Sequence, residues 1–192
     1  PESIREKHNY PTLHQALVQL HQPADLDHAE TARERLTFDE AFLLQSLLVM
    51  RRIELKKLNS TSRKRVAGGL LDTFDSSLPF ELTAGQLAVC KEIESDLAQP
   101  HPMHRLLQGE VGSGKTIVAL RAMLAVVDSG GQAALLAPTE VLAAQHLRTI
   151  QRQLGTLAQG GMLGGSDQGT QITLITGSQS AQARREALAK AA

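Results

Sequence analysis

Eight consecutive residues, Gly109-Glu110-Val111-Gly112-Ser113-Gly114-Lys115-Thr116, carry the spacing G-x-x-x-x-G-K-T. This spacing constrains the fold because each fixed position has a mechanical task. Gly109 and Gly114 let the backbone turn tightly with no Cβ in the way. The N–H groups of Gly112, Ser113, Gly114, Lys115 and Thr116 then point inward at the positive end of the next helix, forming a cradle for phosphate oxygens. Lys115 is placed to reach β- and γ-phosphates, and the Thr116 hydroxyl to take a place on Mg²⁺. A short apolar run, Leu106-Leu107, precedes the loop, and Ile117-Val118-Ala119-Leu120 opens a helical pattern after it. The expected unit is strand, phosphate loop, helix, and the expected ligand is a nucleoside triphosphate.

The surrounding texture extends that unit. A helix is expected over Gln86–Leu97, a strand over Arg105–Gln108, and a helix from the loop to about Val127. Ser129-Gly130-Gly131 turns the chain into a second buried strand, Ala133–Ala137, and Pro138-Thr139 leads into a helix over Val141–Gln153. A third strand, Thr173–Thr176, comes after the stretch Gly155–Thr170, whose six glycines among sixteen residues predict a flexible surface insertion. Strand alternating with helix implies α/β class, a parallel sheet with helices on both faces.

Residues 1–78 read as helical instead. Leu13, Ala16, Leu17 and Leu20 share one helix face, which His21-Gln22-Pro23 ends. Thr37-Phe38-Asp39-Glu40 fits a capping box, predicting a helix start there. The apolar face beyond it (Phe42, Leu43, Leu44, Leu47, Leu48, Val49, Met50) is wide enough to imply packing on more than one partner. The expected division is an α-helical segment, 1–78, before an α/β segment, 79–192.

Composition removes several functions. No run of 18 apolar residues exists, which excludes a helical membrane span. The start, Pro1-Glu2-Ser3-Ile4-Arg5, lacks a signal pattern, so a cytoplasmic location is expected. Lys+Arg and Asp+Glu both number 20, so net charge offers no argument for nucleic acid, and 3% aromatic content argues against a base-stacking platform. Any nucleic-acid contact is expected at the backbone. The single cysteine, Cys90, sits among Leu87, Val89 and Ile93 and is expected to be buried and inert. The seven histidines lack metal-ligand spacing. The basic run Lys56, Lys57, Arg63, Lys64, Arg65 suits either phosphate contact or a solvated face.

Several stretches together resemble RecG-type DNA helicases, superfamily 2 motors that remodel branched DNA. They are Leu78-Pro79-Phe80-Glu81-Leu82-Thr83-Ala84-Gly85-Gln86, the run Met103–Thr116, Ala137-Pro138-Thr139-Glu140-Val141-Leu142-Ala143-Ala144-Gln145-His146, and Thr176-Gly177-Ser178. Upstream, His21-Gln22-Pro23 and Ala32–Glu40 are similar to the segment joining that family's wedge domain to its motor. Glu110 stands where the family usually shows Asp. The resemblance implies a P-loop NTPase (RecA-like) sheet, incomplete here, with residues 1–78 as linker and 79–192 as the opening part of the first motor domain. It implies ATP and Mg²⁺ as cofactors and branched DNA (forks, four-way junctions) as partner. Lys115 and Thr116 would be catalytic and Thr116 the metal ligand. Gln86 would read the adenine edge, with Phe80 or Leu82 lining the base pocket and Gly109, Gly112, Ser113 and Gly114 completing the nucleotide site. Pro138, Thr139, Glu140, Gln145, Thr176, Gly177 and Ser178 would meet the DNA backbone.

The acids after Thr116 are Asp128, Glu140, Asp167 and Glu186. None ends an expected buried strand, whereas hydrolysis by such motors needs an acid that holds Mg²⁺ and orients water. The expectation is a truncated motor that binds nucleotide without turning it over. Two other classes stay open: a transcription-repair coupling translocase, and a non-catalytic interaction module.

Overall fold

The structure, a computed structural model, describes residues 1–161, 165–166 and 168–191. The chain divides into two compact units, 1–58 and 59–192.

In the first unit, helix α1 spans Glu2–Lys7, α2 Leu13–His21 and α3 Leu26–Lys56. A reciprocal capping box starts α2: the Thr12 hydroxyl accepts from Gln15 N, and the Gln15 side chain accepts from Thr12 N. Helix α2 ends at His21, as its sequence pattern predicts. Ala16 and Ala32 are fully buried, so α2 and α3 meet through small side chains. Tyr10, Phe38 and Phe42 form an aromatic row, with ring centroids 5.4 and 5.8 Å apart. The expected helix start at Thr37 is corrected: α3 begins at Leu26, capped by Asp25, whose carboxylate accepts from His28 N at 2.9 Å, and runs straight through Thr37-Phe38-Asp39-Glu40. Nothing in Ala32–Leu36 breaks a helix, so the Thr37 N–H lies within a continuing helix and a cap has nothing to satisfy there. The apolar face of α3 is open: Leu43, Leu44, Leu47, Leu48, Val49 and Met50 are all at least half exposed.

The second unit holds α4 (Leu70–Ser77), α5 (Ala84–Leu97), α6 (Lys115–Asp128), α7 (Glu140–Leu154) and α8 (Ala181–Ala191). Its core joins Leu71 and Phe74 of α4, Cys90 and Ile93 of α5, Ile117, Leu120 and Leu124 of α6, and Ile150 and Leu154 of α7. Cys90 is buried as expected. Residues 59–78, expected with the N-terminal helical segment, pack in this second unit.

Helix α4 is fastened to α6 at two points. At its start, the Asp128 carboxylate accepts from the N–H groups of Leu70 and Leu71 at 2.6 and 2.9 Å, donors that the helix itself leaves unpaired. Gly69 makes this approach possible, since a Cβ there would lie 2.7 Å from Asp128 Oδ1. Toward the end of α4, Asp75 accepts from Arg121 Nε and Nη2, both at 2.7 Å. The two helices therefore run antiparallel.

The expected strands 105–108, 133–137 and 173–176 are not seen: among the described residues no strand forms, and the one bridge is an isolated antiparallel pair, Gln159 with Gln171. A strand needs a ladder partner, and these segments have none beside them. Apolar side chains that a covered sheet would bury are open instead, Leu106 at 90% and Leu136 at 91% exposure. Sequence neighbours among strands need not pair with each other. The described residues of the glycine-rich stretch are held by the rest of the unit. A 3-10 turn, Gly155–Ala158, buries Leu157 in the core, Thr170 N donates to Leu157 O at 2.8 Å, and Gln168 bonds Thr73. Met162, Leu163, Gly164 and Asp167, the rest of that expectation, lie outside the described residues. Among the described residues no helix is long and apolar enough to cross a membrane.

Candidate nucleotide site and adjoining turns

The phosphate loop keeps its shape through its own backbone and one lysine. Gly112 and Gly114 hold φ values of 82° and 81°, the left-handed region where a side chain is strained. Ser113 N donates to Glu110 O, closing the turn. Lys115 Nζ donates to the carbonyls of Gly109 and Glu110, each at 2.8 Å. Gly114 caps α6 without a side chain. Among the described residues the N–H groups of Gly112, Gly114, Lys115 and Thr116 have no acceptor, and the Thr116 hydroxyl has no partner. Free donors at a helix start, with a lysine beside them, suit a polyphosphate, and an uncommitted hydroxyl suits a hard cation that the phosphates would share.

Gln86 sits against this loop. It is the third residue of α5 and completes a capping box: Thr83 Oγ1 accepts from Gln86 N, and Gln86 Oε1 accepts from Thr83 N at 2.9 Å. Its Nε2 donates to Ser113 O, also at 2.9 Å, so one amide ties α5 to the loop. A Cβ on Gly114 would collide with that Nε2. The next residue, Leu87, lines a cleft of about 560 Å³ with Leu78, Pro79, Phe80, Glu81 and Leu82, and Asp75 and Arg121 stand in its wall. Phe80 is half exposed there.

The two turns expected to meet DNA come together. Thr139 Oγ1 accepts from Leu142 N and caps α7. Glu140, the first residue of α7, accepts from Ser178 N at 2.8 Å and from Ser178 Oγ at 2.6 Å. The Ser178 hydroxyl, helped by the neighbouring N–H groups, holds the Glu140 carboxyl below its usual range. Gln179, which sequence reasoning missed, shapes the turn by accepting from Thr176 N and donating to Leu174 O. Pro138 is exposed beside Thr139, and Gln145 is exposed on α7 with no hydrogen bond to either turn among the described residues.

The basic run is largely committed inside its own units. Arg65 pairs with Asp72, Asp75 and Glu94, Arg63 donates to Ser129 O at 2.9 Å, and Lys57 pairs with Glu54. These bonds favour a structural role over phosphate contact.

Loop, helix and free donors define the class: a P-loop NTPase-like domain. A family model described as DEAD/DEAH box helicase matches residues 83–191, and the chain belongs to that family. Along its length it is similar to the ATP-dependent DNA helicase RecG of Mycobacterium tuberculosis H37Rv, 50% identical over 192 residues, which is 100% of this chain and 26% of that protein. RecG of Synechocystis is 42% identical over 97% of this chain and 21% of its own length. Among solved structures, RecG bound to a three-way DNA junction superposes with a TM-score of 0.80 at 35% identity, covering 97% of this chain and 24% of that one. The match supports a P-loop NTPase-like fold. The chain spans about a quarter of the length of the curated relatives it matches.

Proposed function

We propose that this chain is the ATP-binding part of a DNA helicase or translocase that remodels branched DNA, forks and four-way junctions included, in recombination and repair. The observation that carries the reading is the phosphate loop itself, its first-turn donors free and Lys115 poised beside them, in a chain similar to RecG throughout. Residues 1–78 would link wedge to motor. Residues 79–192 would open the first motor domain, with 105–108, 133–137 and 173–176 as strands of a RecA-like parallel sheet once partnered.

In this reading Lys115 moves from its two carbonyls to the β- and γ-phosphates, and the N–H groups of Gly112 through Thr116 take the remaining oxygens. The Thr116 hydroxyl would hold Mg²⁺, which neutralises phosphate charge when bound. Gln86 offers its second N–H and second lone pair to the adenine edge while keeping its bonds to Thr83 and Ser113. Phe80 packs on the base. At the other site, the Thr139 and Thr176 hydroxyls and the Gln145 amide would donate to DNA phosphates, while Pro138, Gly177 and Ser178 would shape the turns that carry them. Glu140 is an anion and would repel a phosphate, so its part is to lock the two turns into one surface. Of the acids after Thr116, Asp128 caps α4, Glu140 holds Ser178 and Glu186 accepts from Gln182. They are engaged elsewhere, which fits nucleotide binding without hydrolysis.

Titration calorimetry with Mg-ATP tests the reading. The chain should bind saturably, and Lys115→Ala, which removes a charged hydrogen-bond donor worth about 1.5–3 kcal/mol, should weaken binding by about 10- to 100-fold. Absence of ATP binding would refute the nucleotide reading. DNA-stimulated turnover near about one per second, lost in Lys115→Ala, would refute the non-hydrolysing part.

A further inference from the structure

The phosphate-loop helix carries a second charged residue that the nucleotide reading does not use. Arg121 lies on α6, six residues after Lys115, and is only 5% exposed. A guanidinium so buried is stable only with its donors matched, and Asp75 supplies a two-pronged match at 2.7 Å for both Nε and Nη2. Glu94 of α5 stands 3.5 Å from Nη2 and 3.3 Å from Arg65, which in turn reaches Asp75 at 3.2 Å. Three helices, α4, α5 and α6, thus converge on one ionic knot. The Asp75 hydrogen bonds hold Arg121 firmly protonated.

The segment immediately after Asp75 gives the knot its meaning. Helix α4 ends two residues later at Ser77, and the chain continues directly into Leu78–Leu82, the strap that lines the cleft with Leu87. Asp75 and Arg121 stand in the wall of the same cleft. The strap leaves α4 at the point where α4 is fastened to α6, and α6 begins at the phosphate loop. The second fastening, Asp128 on Leu70 and Leu71, keeps α4 from swinging about the first.

We propose that the Asp75–Arg121 pair is a positioning element that sets the register of the strap Leu78–Leu82 against the phosphate-loop helix, so that base and triphosphate are gripped at one fixed separation. The proposal rests on the nucleotide reading above and adds to it a pair to which that reading gives no part. Its loss should cost only the part of the affinity that needs both ends of the ligand held together.

The test uses two ligands on the 192-residue chain: ATP, which spans both grips, and inorganic tripolyphosphate, which engages the phosphate loop alone. Wild type should bind ATP more tightly than tripolyphosphate. Asp75→Asn, of equal size, should lose about tenfold toward ATP and keep its tripolyphosphate affinity, which also shows that the loop remains folded. Arg121→Lys, which keeps the charge but loses the two-pronged geometry, should shift the same ratio in the same direction by less. An unchanged ratio of the two affinities in both variants would overturn the proposal, as would parallel loss of both ligands in both variants, which assigns the pair to folding alone. Equal affinity of wild type for the two ligands would remove the cleft as a base site. Failure of wild type to bind either would instead sink the nucleotide reading.

Discussion

Asp128→Ala should destabilise the second unit by about 2 kcal/mol. The carboxylate accepts from Leu70 N and Leu71 N at 2.6 and 2.9 Å. Hydrogen bonds to a charged group contribute about 1.5 kcal/mol or more each, so the pair is worth about 3. Against this, Asp128 is the last residue of α6, where an anion faces the negative end of the helix, an unfavourable placement of about 0.3–1 kcal/mol that alanine relieves. The difference leaves about 2, at the upper end of the cap range of about 0.5–2 kcal/mol. Urea unfolding followed by circular dichroism measures it, provided the slope with denaturant stays that of wild type. Because the chain has two units, amide exchange at Leu71 and Phe74 should report the loss within α4 itself. Gly69 supplies an internal check. Gly69→Ala should cost at least about 1 kcal/mol in wild type, where its Cβ meets the carboxylate at 2.7 Å, and much less in an Asp128→Ala background. Asp128→Ala within about 0.5 kcal/mol of wild type, or a Gly69→Ala cost equal in both backgrounds, would refute the two-point fastening of α4.

Two further outcomes are expected. Gln86→Ala removes both the capping partner of Thr83 and the tie to Ser113, so stability should fall by about 1 kcal/mol and any preference for ATP over GTP should vanish; equal affinity of wild type for the two nucleotides would take Gln86 out of base recognition. The Glu140 carboxyl is held below its ordinary value of 4.5 by Ser178, so the tie contributes fully above pH 4.5 and is lost as pH falls through the lower folded-state value. The Ser178 amide resonance should track that titration with a midpoint below 4.5 and lose it in Glu140→Gln; a midpoint at or above 4.5 would mean the two turns are not tied in solution.

What the sequence disclosed was local. The end of α2 before Pro23, the burial of Cys90 and the loop-to-helix step at Lys115 all depend on neighbours within a few residues. The Thr37 motif and the unread one at Thr83 both match a capping box, but only Thr83 comes after a break in the helical pattern, and only there does the box form. Asp128 had no structural part in the sequence reading because its partners, Leu70 and Leu71, are more than fifty positions away. Arg65 looked like part of a basic run, and only packing brings Asp72, Asp75 and Glu94 around it. The apolar runs at 105–108 and 133–137 signalled burial on both faces, yet pairing depends on a neighbour that no periodicity identifies.

The lysine of the phosphate loop has its own consequence for how a ligand is received. Lys115 donates to the carbonyls of Gly109 and Glu110, so the protein's own groups suffice to hold the loop in its turned shape. Capture of a triphosphate is then a swap of acceptors around a standing frame, with two neutral oxygens released and charged ones taken. Little chain entropy is lost at that moment, since the frame is ordered beforehand. The rate of capture should accordingly be set by diffusion and charge, with no slow step for folding the loop around its guest.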